Sequence, residues 1–295
     1  PPNTTRDLVT PLVLGASGKT GDDIGLAMNP EFLKEGVAVQ DFLHPDRVVI
    51  GASDDRTYQE VASLYTGVDA PVLRTDVSTA EMIKLASNAF LAARISLVNE
   101  MGNLCKALGL DFREVARGVG MDPRVGPLFL RSGCGFGGSC FPKDVKSVRA
   151  QARSLGVPTD MLDATLSVNE RQPRRLVELL EGRMEVYGRT IAVLGLAFKP
   201  GTDDIREASS LTVVEDLLQK GAMVRAYDPQ AMPNFRKEFP QLTYCPSARE
   251  CLEGADAALI VTEWKEFADP ALYGSTLVVD GRGITKTNNY EGICW

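Results

Sequence analysis

Apolar positions along the chain fall into three regimes. In the first they come in short runs, at Ile24-Gly25-Leu26-Ala27-Met28, Arg47-Val48-Val49-Ile50-Gly51 and Pro71-Val72-Leu73. Runs of that length, bounded by Gly, Pro and Asp, read as buried strands. Between them Asp54-Asp55 opens a helix reaching Tyr65, with acids in the first turn where the helix dipole favours them. In the second regime Ile83, Phe90, Leu97 and Leu104 repeat every seven residues, with Leu91, Val98 and Cys105 beside them. That stripe predicts one long helix from Ser78 to Leu108, closed by Gly109. Asp111 caps a short helix ending near Arg117, and helical patterns resume over 142–155 and 160–183. In the third regime, buried strands at Thr190–Gly195, Met223–Asp228, Ala257–Val261 and Thr276–Asp280 alternate with helices such as Ser209–Gln219. Such alternation predicts a parallel, doubly wound sheet.

The pattern therefore predicts an α/β chain in three blocks. Residues 1–76 form an α/β piece, 77–186 a helical middle domain built on a long spine helix, and 187–295 a parallel-sheet α/β domain. The first block is unusual because no GxGxxG fingerprint precedes or opens it. An α/β nucleotide domain carries that fingerprint on its first strand-to-helix turn.

Composition narrows the function classes. With 295 residues, 44% of them hydrophobic and 24% charged, the chain is ordinary globular material of two or three domains. A net charge of -7 offers no basic footprint for nucleic acid, so a phosphate site must be built locally from a few Lys and Arg. No run approaches the roughly 20 apolar residues of a membrane span. Pro1-Pro2-Asn3-Thr4-Thr5 lacks the basic and apolar regions of a signal peptide. The expectation is a soluble, cytoplasmic protein. Six cysteines without CxxC spacing and a single histidine, His44, give no expectation of a metal site. Most of these cysteines read as small buried hydrophobes. Cys245 and Cys251 could pair only where the redox setting allows it.

Four runs carry candidate chemistry. Gly133-Cys134-Gly135-Phe136-Gly137-Gly138-Ser139-Cys140-Phe141-Pro142-Lys143-Asp144 packs four glycines before a helix that starts near Pro142. Such a loop lets backbone approach a ligand closely. A helix N-terminus with a neighbouring lysine favours a reactive thiolate, here Cys140, and Asp144 follows one helical turn later. A plain loop with a buried cysteine has the same composition. Lys84 and Asn88 share one face of the spine helix, with Asn99 and Asn103 further along. They could donate to a developing oxyanion or simply form a solvated face. Asn29-Pro30-Glu31-Phe32-Leu33-Lys34-Glu35 follows a strand end, where open α/β sheets bind ligands. Phe198-Lys199-Pro200-Gly201-Thr202-Asp203-Asp204-Ile205-Arg206-Glu207 is too long for a simple strand-to-helix turn. Its Lys and Arg suit phosphates.

Taken in order, NPEFLKEG, EMIKLASNAF, GFGGSCFPKD and FKPGTDDIRE, with VVDGR near the end, resemble the UDP-glucose/GDP-mannose dehydrogenase family over nearly the whole chain. Within it, NPEFLKEGVAVQDFLHPDRVVIG with GFGGSCFPKD is most similar to the UDP-glucose enzymes, with GDP-mannose enzymes the alternative. The resemblance implies a remnant of an N-terminal Rossmann-like domain, a helical central domain and a C-terminal Rossmann-like domain. It implies a four-electron oxidation of a sugar C6 alcohol to the uronate with two NAD, through a thiohemiacetal and a thioester on Cys140. Lys84 and Asn88 would stabilise oxyanions, and Asp144, Glu31 and Glu35 would handle water. Glu31, Phe32, Leu33, Lys34 and Glu35 would line the sugar nucleotide with Lys84 and Asn88. Arg131, Gly133, Phe136 and Gly137 would hold its diphosphate, joined by Phe198, Lys199 and Arg282. Arg124 would reach the substrate across a homodimer interface built on the spine helix. Glu35, Cys140, Lys143 and Arg206 would touch NAD. Family chains begin with a complete dinucleotide-binding domain, so the resemblance also implies on the order of 100–150 residues ahead of Pro1. These 295 residues alone would then give no turnover; truncated, they would be a sugar-nucleotide-binding or dimerisation module.

Overall fold

A computed structural model describes residues 1–295. The chain packs as two compact units. One comprises Pro1–Phe90 with Ser147–Pro158, the other Leu91–Lys146 with Thr159–Trp295.

In the first unit a π-helical turn, Thr5–Val9, runs into α1 (Thr10–Ser17). Then come β1 (Ala27–Met28), α2 (Ala38–Leu43), β2 (Val48–Ala52), α3 (Asp55–Ser63) and β3 (Val72–Thr75), before α4 (Val77–Ala107). The sheet order is β1-β2-β3; β1 is antiparallel to β2, and β2 is parallel to β3. All five residues of β2 are buried, as its unbroken apolar run predicts. Asp54 caps α3, its carboxylate accepting from Thr57 N at 2.8 Å and Thr57 Oγ1 at 2.8 Å. Two expectations need correcting. The strand expected over Ile24–Met28 pairs only at Ala27 and Met28, because Ile24 N donates to Thr20 O in a preceding turn. The helical stretch Thr5–Ser17 has no counterpart in the sequence reading. None of its residues is buried, and Leu8 and Leu12 are exposed, so no apolar stripe announces it.

In the second unit α4 continues from Leu91, followed by α5 (Phe112–Gly120), which runs one turn past Arg117. The glycine-rich loop leads into α6 (Phe141–Ser154), whose first turn belongs to this unit. Then follow α7 (Asp160–Glu181), β4 (Thr190–Leu194), α8 (Ser209–Gln219), β5 (Met223–Tyr227), α9 (Met232–Glu238), β6 (Thr243–Tyr244), α10 (Ala248–Leu252), β7 (Ala257–Ile260), β8 (Leu277–Asp280) and β9 (Tyr290–Gly292). The six strands are all parallel, in the order β6-β5-β4-β7-β8-β9. Alternation along β4 explains the two-faced core. Ile191 and Val193 pack with Leu176, Leu180, Val213 and Leu217 of α7 and α8. Ala192 and Leu194 pack on the other face with Cys251 and Leu252 of α10, Phe267 and Tyr273. Both faces are covered, which is why the strands read as continuous apolar runs. Strand order reverses between β4 and β7, and the crevice beyond their C-terminal ends is where such sheets bind ligands.

Candidate active site

The glycine-rich loop of the second unit is held by side chains aimed at its backbone. Asn99 Oδ1 accepts from Gly133 N at 2.8 Å, and Gln172 Nε2 donates to Gly133 O at 2.9 Å. Ser209 Oγ donates to Cys134 O at 2.8 Å. Asn169 grips Phe136 twice, accepting from its N at 2.8 Å and donating to its O at 2.9 Å. A loop without internal secondary structure therefore has fixed geometry, because its polar backbone atoms have protein partners. Two glycines allow the chain to thread it. A side chain at Gly137 would stand 2.3 Å from Glu207 O, and one at Gly138 would stand 2.6 Å from the Phe198 ring, with φ already at +81°. Gly138 N donates to Arg206 O at 2.8 Å, so the 198–207 segment backs this loop.

The two cysteines of the loop differ in kind. Cys134 is fully buried, its Sγ 3.5 Å from Gly281 O, and burial pushes its thiol up to about 12, against the pull of Arg282. Burial likewise raises Cys251 and Cys294. Cys140 is the one cysteine that is not buried. It lies immediately before α6, with Ser139 Oγ 3.5 Å from its sulfur, and its carbonyl accepts from Asp144 N at 3.0 Å. Asp144 is buried, with its carboxylate on Lys143 Nζ at 2.5 Å, while the lysine side chain stays two-thirds exposed. A thiol at a helix N-terminus, reachable by a small molecule, is the arrangement that covalent catalysis needs.

Beside the loop lies a cavity of about 310 Å³ lined by Ile95, Asn99, Phe129, Arg131, Gly133 and Arg282, among others. Arg131 Nη2 donates to Arg282 O at 2.9 Å. Arg282 Nε donates to Val261 O at 2.6 Å and lies 3.3 Å from Glu263 Oε2. The backbone behind Arg282 is fixed by Asp280, fully buried, which accepts from the N–H groups of Arg282, Gly283, Ile284 and Thr285. Asn99 Nδ2 is buried and makes no hydrogen bond with the protein. Two guanidiniums and a spare amide donor facing one cavity suit an anion with several oxygens. Of the residues the resemblance implies for the diphosphate, Arg131, Gly133 and Arg282 line this cavity; Phe198, over whose ring Lys199 Nζ lies at 5.5 Å, is not among its lining residues. The sequence does not single out Asn169, Gln172, Ser209 or Asp280. Asp280 stands inside the VVDGR run, where only Arg282 carries an implied role; Asn169, Gln172 and Ser209 belong to no motif and act from other elements across a long stretch of sequence. The cations proposed for NAD are also in this unit; Arg206 grips Asp204 at 2.7 and 2.9 Å. Arg124 is largely exposed and pairs with Asp122 at 2.6 Å.

The remaining sequence-derived residues belong to the first unit. Lys84 Nζ pairs with Glu31 Oε1 at 3.0 Å, and Glu31 Oε2 accepts from Leu33 N at 2.7 Å. Lys34 is tied through both its N and its Nζ to Asp41, at 2.8 and 3.2 Å. Phe32 lies under Arg47, whose guanidinium carbon is 3.8 Å from the ring centroid, and Lys84 Nζ is 5.5 Å from the same ring. Asn88 is buried, and Glu35 is half-buried at the end of the turn. A cavity of about 320 Å³ opens here, lined by residues 29–34 with Phe42, His44, Arg47 and Tyr65, among others.

Comparison with known proteins matches three family models in succession. The NAD binding domain of the UDP-glucose/GDP-mannose dehydrogenase family matches residues 1–69, its central domain 78–171 and its UDP binding domain 192–287. The chain belongs to the UDP-glucose/GDP-mannose dehydrogenase family. It is 47% identical to the UDP-glucose 6-dehydrogenase AglM of Haloferax volcanii, over 99% of this chain and 71% of that protein. It is 41% identical to the UDP-glucose 6-dehydrogenase YwqF of Bacillus subtilis, over 95% of this chain and 66% of that protein. A UDP-glucose dehydrogenase from Pyrobaculum islandicum superposes with a TM-score of 0.95 at 43% identity, over all of this chain and 69% of its own. The chain thus spans about two thirds of the length of these family members. No helix in it is long and apolar enough to cross a membrane.

Proposed function

We propose that the protein is an NAD-dependent UDP-glucose 6-dehydrogenase that makes UDP-glucuronate in two oxidations at C6. The observation that carries this reading is Cys140, the one accessible thiol, set at a helix N-terminus on a rigid glycine loop beside a bis-arginine cavity. Arg131, Arg282 and Asn99 would take the diphosphate, with Phe198 and Lys199 as neighbours. Glu31 through Glu35 would contact the sugar. The Cys140 sulfur adds to the C6 aldehyde, and Lys84 and Asn88 donate hydrogen bonds to the resulting oxyanion. Oxidation of that thiohemiacetal gives a thioester. Asp144, with Glu31 and Glu35, relays the proton of the water that hydrolyses it, releasing the Cys140 thiol. Bound NAD would supply the hydride acceptor for both oxidations, two per sugar. Lys143 and Arg206, exposed cations flanking the Cys140 loop, fit its diphosphate, and Glu35 and Cys140 would border it. The three blocks over 1–76, 77–186 and 187–295 would carry NAD contacts, catalysis with dimerisation, and UDP contacts respectively.

A homodimer built on the spine helix is part of the same reading. Leu97, Met101 and Leu104 of α4 and Leu108 just after it are exposed, and so are Met121 and Leu128 after α5. Arg124 lies between those two. A soluble, cytoplasmic enzyme matches this substrate.

The test is stoichiometric. The full-length protein with UDP-glucose and excess NAD is expected to yield two NADH and one uronate per sugar. One NADH with an accumulating aldehyde, or turnover with GDP-mannose only, would overturn the reading. Arg282 gives a second check. Arg282→Met removes a charged donor from the diphosphate, worth about 1.5–3 kcal/mol. KM for the nucleotide sugar should rise roughly 10- to 100-fold with kcat nearly unchanged. An unchanged KM would remove Arg282 from the site.

A further inference from the structure

We propose that Arg47 is a positioning residue for the sugar-contacting turn over 31–35, acting through the ring of Phe32. The proposal rests on the reading of that turn as part of the nucleotide-sugar site. Four observations within the first unit lead to it. The turn has no regular secondary structure of its own. The Phe32 ring carries the Arg47 guanidinium 3.8 Å from its centroid. Arg47 Nη2 donates to Ser87 Oγ at 3.3 Å, and Ser87 Oγ donates to Ile83 O at 2.7 Å within α4. Lys84 reaches the same ring with its Nζ at 5.5 Å and pairs with Glu31 at 3.0 Å.

These contacts form one linked set. Arg47 immediately precedes β2, whose residues are all buried, so its backbone is fixed by the sheet. Its guanidinium stacks on Phe32 and bonds to α4 at the same time. A planar, delocalised cation can do both at once; an ammonium cannot. The ring is thereby fixed between the start of β2 and the α4 turn that carries Lys84. Phe32 is adjacent to Glu31, so fixing the ring fixes the carboxylate that Lys84 holds. If Arg47 is lost, Phe32 keeps its apolar bulk but no longer has a fixed plane. Glu31 and Leu33 then sample several positions. The expected consequence is weaker capture of the sugar, with little change in chemistry once it is bound.

The experiment compares Arg47→Met, Arg47→Lys and Phe32→Leu in the full-length protein. Amide hydrogen exchange over 31–35 needs no assumption about the reaction. It should accelerate about tenfold or more in Arg47→Met, while exchange over β2 stays as in the parent. KM for UDP-glucose should rise roughly tenfold or more, with kcat within about threefold and KM for NAD unchanged. Arg47→Lys should recover little of either effect. Adding Arg47→Met to Phe32→Leu should add almost nothing, because the stack on the ring is already gone. Unchanged exchange over 31–35 would overturn the proposal. So would strictly additive effects, or full rescue by lysine. A parent protein that oxidises no nucleotide sugar would instead overturn the functional reading, with the exchange data still judging Arg47.

Discussion

Replacing Cys140 with alanine is expected to lower uronate formation from UDP-glucose by at least about 10³-fold, while nucleotide-sugar binding stays within a few-fold of the parent. The sulfur is needed at a specific point. An aldehyde carbon gives up a second hydride readily only after a nucleophile has made it tetrahedral, and the acyl group must then leave to water. A thiolate satisfies both needs near neutral pH. Serine at the same place is protonated and makes an ester that hydrolyses more slowly, so Cys140→Ser should be nearly as inactive. Any trace of covalent product in that variant should persist on the protein. Cys134 is the internal control. It lies six residues earlier in the same loop, but it is fully buried and its thiol is pushed up to about 12. Cys134→Ala should therefore alter stability more than chemistry. Mass spectrometry of intact protein mixed with substrate and NAD, alongside a uronate assay, checks both. Near-parental uronate output from Cys140→Ala would end the thioester route.

The long helix, the parallel sheet and the Cys140 loop were legible in the sequence because each obeys a local rule. Periodicity of seven marks α4, mainly apolar runs mark β4, β5, β7 and β8, and a glycine-rich run followed by Pro142 marks the start of α6. Other features follow no local rule. Thr5–Ser17 is helical with every residue at least partly exposed, so tertiary context and not amphipathicity sets it. The short strands β6 and β9 are recruited to the sheet edges by their neighbours. At the site, chemistry-bearing residues announced themselves through composition, whereas the residues that hold them did not. Asn169 lies 33 residues from Phe136, Gln172 39 residues from Gly133, and Ser209 75 residues from Cys134. A single Asn or Ser in a helix pattern gives no sign of which distant backbone it will meet. Arg47 is of the same kind. From sequence it is the polar first residue of a strand run, and only folding brings it onto Phe32 and Ser87.

Asp228 is expected to produce the largest loss of stability of any single substitution considered. It immediately follows β5, is fully buried, and accepts five hydrogen bonds. Oδ2 takes Leu196 N at 2.7 Å, Ala197 N at 3.0 Å and Trp264 Nε1 at 2.9 Å. Oδ1 takes Gln230 N and Ala231 N, each at 2.8 Å. One carboxylate thus ties together the loops after β4, β5 and β7, the three strands around the point where strand order reverses. In a dinucleotide-binding sheet an acid in this region accepts from ribose hydroxyls. Here the protein's own donors occupy both oxygens, so the acid serves as a knot for the crevice and not as a ribose ligand. Asp228→Ala would leave the N–H groups of Leu196, Ala197 and Ala231 buried without an acceptor, and those of Gln230 and the Trp264 indole partly so. Breaking a buried charged network of this kind costs about 3–5 kcal/mol. In a unit of this size that corresponds to a Tm lower by roughly 6–20 °C. Asp228→Asn keeps one carbonyl acceptor and turns the other oxygen into a donor that faces other donors. It should fall between the parent and alanine, nearer to alanine. Thermal unfolding followed by near-ultraviolet circular dichroism, to which Trp264 contributes, measures the order. An alanine variant within 2 °C of the parent, a shift of under about 1 kcal/mol, would show that water replaces the carboxylate without cost and that the knot is dispensable.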